Sequence, residues 1–133
     1  MSRKVARENT YKLIFEYLFG RMPNARTYSV LSCGDMDEND IKYMEKAYYG
    51  VIENYDELTE IIKKYSEGFA LDRIFKPDLS ALLLAIYEMK YMDDIPAPVS
   101  INEAVDLVKR YSTDKSNVFV NGMLSAIHKD MSK

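Results

Sequence analysis

The chain has 133 residues, 47% of them hydrophobic, and a formal net charge of −3. That length and apolar content suit one domain with a real core, and the acidic balance argues against indiscriminate nucleic-acid binding. A single cysteine, Cys33, excludes an intramolecular disulfide framework, and no run approaches the roughly 20 apolar residues of a membrane span.

Helical periodicity dominates from the start. A first helix is expected from about Arg3 to Phe19, stopped by Gly20 and Pro23. Its apolar residues cover more than one face, so its C-terminal half should be buried on several sides or meet a partner. The basic residues before it lack the apolar run of a secretory signal, and a cytoplasmic chain is expected.

After a loop holding Ser32, Cys33 and Gly34, the acidic residues Asp35, Asp37, Glu38 and Asp40 suit the positive end of a helix dipole. Ile41, Met44, Tyr48, Val51, Ile52 and Tyr55 then follow at helical spacing. Leu58, Ile61, Ile62 and Tyr65 continue it, with Asp56 the expected cap of a separate or kinked helix and Gly68 its end.

Leu71, Ile74 and Phe75 read as a short apolar connector, and Pro77 fits the first turn of the next helix. Leu79, Leu82, Leu83, Ile86 and Tyr87 form its core stripe, closed before Pro96 and Pro98. Ser100-Ile-Asn-Glu103 has the pattern of a capping box opening another helix. A last helix carries Val120, Met123, Leu124, Ile127 and Met131. Within it, Gly122 costs about 1 kcal/mol relative to alanine, so a close helix–helix approach is expected there. The fold class is all-α, with six to seven helices in two packed helical subdomains, about 1–68 and 69–133, making one domain.

Chemistry of the catalytic kind is scarce. The five glycines are isolated, so no phosphate-cradling loop can be assembled, and Cys33 with His128 is a weak nucleophilic pair against a bland loop thiol. Metal binding lacks ligands, and Glu88 reads as one end of a structural ion pair or hydrogen bond. A binding module is favoured over an enzyme.

Charge supplies the binding candidates. Residues 1–26 hold six basic and two acidic side chains, whereas residues 27–68 hold four and ten. Arg3, Lys4 and Arg7 fall within a narrow sector of the first helix, with Tyr11 one turn on, either in the core or as a base-stacking ring. Lys109, Arg110 and Lys115 surround the polar break before the last helix, whose free N–H groups attract phosphate. Phe119 lies just beyond, either exposed near that break or as a core flank.

Taken together, Ala6-Arg7-Glu8, Leu82-Leu-Leu-Ala-Ile-Tyr-Glu88, Asp94-Ile-Pro96, Val99-SINEAVDLVKRYS and Phe119-Val-Asn-Gly122 resemble the NusB family of bacterial transcription antitermination factors. The resemblance implies boxA-type single-stranded RNA of ribosomal RNA leaders, the ribosomal protein NusE and the transcription elongation complex as partners, with no cofactor. By position it implies RNA contacts at Arg3, Lys4, Arg7, Lys115 and Phe119, and a protein-partner face at Phe15 and Asp78. A second copy of the chain is an alternative cover for that face, and a protein–protein adaptor with little RNA binding is the alternative function. The chain departs from the family at Leu83, where an arginine is common, at Lys115, often acidic, and at Val118, often basic.

Overall fold

The computed structural model describes residues 3–32, 36–66 and 70–131, and all regular structure among them is helical. The order is α1 (Arg3–Gly20), α2 (Ala25–Ser32), α3 (Glu38–Glu53), α4 (Tyr55–Tyr65), a 3₁₀ turn (Leu71–Arg73), α5 (Lys76–Tyr91), α6 (Ala97–Tyr111) and α7 (Ser116–Met131). Cys33, Gly34, Asp35 and Gly68, with the subdomain boundary expected at about residue 68, lie outside the described residues.

The core is organised around α5. Every residue from Asp78 to Glu88 is buried, a pattern that requires neighbours on all sides. Helices α1, α3 and α4 and helices α6 and α7 supply them. Leu83 is fully enclosed, as an apolar residue of this helix should be. One close approach makes this packing fit. A Cβ built on Gly50 of α3 would lie 2.3 Å from the Tyr87 ring of α5. The close-approach glycine is therefore Gly50 and not Gly122, around which a Cβ would meet nothing within 4 Å.

Local chemistry explains the helix ends. The Asp37 side chain accepts from the Asp40 N–H at 2.9 Å and caps α3, with Glu38 and Asp40 in the first turn. Asn54 separates α3 from α4, and its Nδ2 donates to the Gly50 carbonyl at 2.8 Å. Asp56 lies one residue inside α4, so it faces the dipole as a first-turn acid instead of capping.

Two elements differ from expectation. Helix α2 begins after Asn24, whose Oδ1 accepts from the Thr27 N–H at 3.1 Å, and Tyr28 stacks on Tyr48 with centroids 6.0 Å apart. Helix α6 starts at Ala97, three residues before the expected capping box. Pro98 sits in the first turn, where a missing N–H costs nothing, and the Ser100 N–H already bonds the Pro96 carbonyl at 3.3 Å. Ser100 and Glu103 are thereby released from capping and point into the seam between α5, α6 and α1.

Candidate nucleic-acid interface

The seam starts with a buried charge network. Glu88, 1% exposed, accepts from Arg7 Nε at 2.8 Å, Arg7 Nη2 at 3.2 Å, Ser100 Oγ at 2.7 Å and the Tyr43 hydroxyl. Arg7 itself is 6% exposed and also lies 3.6 Å from Glu103. Burial alone would lower its pKa, but the Glu88 hydrogen bond and the surrounding negative charge outweigh it and the pKa is raised. Burial and the Glu88 charge push Tyr43 well above its ordinary value, so it remains a donor. Of the expected RNA contacts, Arg7 is thus placed in the interior. Its guanidinium is spent inside, joining α1 to α5 and α6.

Arg3 and Lys4 lie at the surface. Arg3 Nε is 3.0 Å from Asp40 Oδ1, with its guanidinium 4.6 Å from the Tyr43 ring centre. Lys4 Nζ stands 3.7 Å from Glu103 and 3.8 Å from Asp106, its side chain 59% exposed. The Lys4 pairs are exposed, hence weak and open to exchange with other anions, whereas Asp40 is buried.

Further along α1, Glu8 accepts from Arg110 Nη1 at 2.8 Å and from the Tyr111 hydroxyl. The Tyr111 hydrogen bond, then Arg110 and Lys12, hold its pKa below the usual carboxylate value against the opposing effect of burial. The exposed Tyr111 ring rests 5.7 Å from Tyr11, flanked by Lys12 Nζ at 5.6 Å and Arg110 at 5.5 Å. Tyr11 itself belongs to the core.

Asp78 locks the turn from α6 into α7. Its two carboxylate oxygens accept from Ser112 Oγ at 2.7 Å and from Ser116 Oγ at 3.0 Å. It is 5% exposed, and both oxygens are committed to aiming α7. Beyond it, Lys115 is exposed at the start of α7, and Phe119 is half-buried one turn on. Phe119 lines a hollow of about 180 Å³ with Arg73, Ile74, Phe75 and Asp78. Lys12, Lys109 and Lys115 form no ion pair with any described residue, unlike Arg3, Lys4, Arg7 and Arg110.

Phe15 belongs to a separate apolar face. Its ring meets Phe19 edge-on at 5.0 Å, and Phe19 is 65% exposed. Lys12 and Tyr111 were the residues missed by sequence reasoning. Lys12 continues the i, i+4 row of Lys4 and Glu8, a signal that was present, whereas Tyr111 falls on an apparently apolar stripe of α6. Among the described residues, no group of three His, Cys, Asp or Glu side chains is placed to hold a metal ion. No described helix is long and apolar enough to cross a membrane.

Comparison with known proteins agrees with this architecture. Residues 4–129 match the model of the NusB family. A transcription antitermination protein NusB from Acetivibrio thermocellus is 42% identical over 130 residues, covering 97% of this chain and 90% of its own. The solved T. maritima NusB superposes with a TM-score of 0.87 at 31% identity, over 97% of this chain and 92% of its own. A complex of antitermination factors NusB and NusE with double-stranded RNA contains a chain with a TM-score of 0.85 at 25% identity, over 96% of both chains. The chain thus belongs to the NusB family, whose members are transcription antitermination proteins and not enzymes.

Proposed function

We propose that this protein binds boxA-type single-stranded RNA of ribosomal RNA leaders together with the ribosomal protein NusE. In the cytoplasm the pair joins the elongating RNA polymerase complex and suppresses premature termination. The observation that carries the reading is the α6–α7 end. There Lys12, Lys109 and Lys115 are cations unpaired with any described carboxylate, beside the exposed Tyr111 ring and Phe119. Cations take phosphate and surface aromatic rings take unpaired bases, the combination by which single strands are held. Lys4, whose ion pairs are solvent-exposed, extends this surface toward the start of α1 by exchanging carboxylates for phosphates, with the partly exposed Arg3 beside it. Arg7 serves it only through the fold.

The protein partner is assigned to the Phe15 and Phe19 face, and the RNA-bound complex of NusB and NusE supports a joint mode of binding. A second copy of this chain on the same face, or an adaptor without RNA preference, are competing outcomes of one titration. Leader RNA is titrated with the chain alone, with NusE alone and with both. A large gain in affinity only for the pair is expected.

The charge assignment has its own test. Replacing Lys4, Lys12 and Lys115 together by glutamine should weaken RNA binding and reduce the slope of log K against log salt by about 0.7 per lost phosphate contact. An unchanged slope would remove the surface from consideration.

A further inference from the structure

A second hollow, of about 390 Å³, lies between the end of α1, α4, the 3₁₀ turn and the start of α5. Leu18, Ile74 and Leu79 are its buried aliphatic lining, and the exposed Arg21, Lys63 and Lys76 stand around them. None of these belongs to the surface assigned to RNA.

Arg21 is the unusual member. Its φ is +59°, the one positive value at a non-glycine residue among those described. A side chain there is strained, and helices that close this way commonly use glycine. The Arg21 N–H bonds the Tyr17 carbonyl at 2.7 Å and closes α1, a task glycine performs without strain. What arginine adds is a guanidinium 3.7 Å from the Tyr55 ring centre, at the mouth of the hollow. Lys76 is placed likewise, 5.3 Å from the Phe19 ring. Both cations are held by aromatic faces and form no ion pair with any described carboxylate. Strain retained at such a position is characteristic of binding sites.

We propose that this hollow receives an acidic, aliphatic segment of a protein, with carboxylates on Arg21 and Lys76 and a leucine- or isoleucine-like side chain against Leu18, Ile74 and Leu79. Charge complementarity sets the sign. The lining sets the class. Tyr55 is buried and its face is covered by Arg21, so no ring is left for a base to stack on. Asp72, also at the rim, disfavours a string of phosphates and suits a peptide N–H. Through Lys76 the hollow adjoins the Phe19 face, so one extended partner could cover both.

The test uses the full isotope-labelled chain without RNA or any partner. It is titrated with capped octapeptides alternating Asp or Glu with Leu or Ile, with the same peptides carrying Lys for the acids, and with oligouridylate of equal charge. Saturable shifts of the Leu18, Arg21, Leu71 and Lys76 amides with acidic peptides alone are expected. Arg21→Gly should weaken this binding about tenfold, as should Lys76→Gln, the size expected for one charge-assisted hydrogen bond. Because glycine accepts the backbone of position 21, Arg21→Gly should keep the thermal midpoint of the parent or raise it. The proposal is overturned if no acidic peptide moves these amides, or if oligouridylate moves them instead. It is equally overturned if Arg21→Gly binds as the parent does, since Arg21 would then only cap a helix.

Discussion

A Cβ at Gly50 would lie 2.3 Å from the Tyr87 ring, which would have to shift, while one at Gly122 would meet open space. Gly50→Ala should therefore destabilise by about 1–3 kcal/mol or more, the range for overpacking. Gly122→Ala should stabilise by up to about 1 kcal/mol, because glycine is the poorer helix former. Paired denaturant titrations of the two variants check both signs. Arg7 and Glu88 offer a second contrast. Removing one partner of a buried pair leaves the other charge uncompensated, so Arg7→Met should cost about 3–5 kcal/mol. The coupling between the two positions in a double-mutant cycle should exceed about 1 kcal/mol. Any loss of RNA affinity in Arg7→Met should track the unfolded fraction. In Lys115→Gln, by contrast, affinity should fall in a fully folded protein.

The first turns of α1 are tied to α6 by side chains: Lys4 with Glu103 and Asp106, Arg7 with Glu103, and Glu8 with Arg110 and Tyr111. Glu8 has a pKa below its unfolded value of 4.5, so its stabilising contribution is present above that value. It is lost as pH falls through the lower, folded value. Unfolding midpoints measured from about pH 6 to about pH 3 should therefore decline less steeply in Glu8→Gln than in the parent. At this scale the sequence was readable wherever periodicity and punctuation agreed. Gly20 and Pro23 bounded α1, Pro77 opened α5, and Asp37 with its acidic neighbours opened α3. It misled where one residue type serves two purposes. Pro98 reads as a terminator yet sits inside the first turn of α6, which made Ser100 resemble a cap. Helix α2 has only eight residues, too few for its periodicity to stand out, and Asn24 marks its start. At the α6–α7 turn the exposure of Lys115 and the partial burial of Phe119 follow from local chain geometry, which the polar break before Ser116 made legible. Arg7 and Asp78 were illegible because their fate depends on residues distant in sequence, Glu88 for one and Ser112 and Ser116 for the other.

Over the whole molecule the tyrosines set an alkaline limit. Burial, first of all, raises the pKa of Tyr11, Tyr28, Tyr43, Tyr48 and Tyr87 above the ordinary 10.0. Groups of this kind stabilise the folded state fully below pH 10, and the unfolded chain gains as its phenols ionise above it. Cooperative unfolding, read as simultaneous tyrosinate absorbance and loss of helical signal, is the expected outcome above about pH 10. The partners that satisfy α1 are also far from it in the chain. Arg7 finds Glu88 at a separation of 81 residues, and Glu8 finds Arg110 at 102. At ribosomal rates of about 5–20 residues per second, Arg7 and Glu8 wait roughly 4–20 s after synthesis for these partners, while α3, nearer in the chain, reaches α1 sooner. During that interval the nascent chain displays a basic helix whose Arg7 and Glu8 have not met their partners. The first protein to meet it, chaperone or ribosome, does so before the antitermination surface exists.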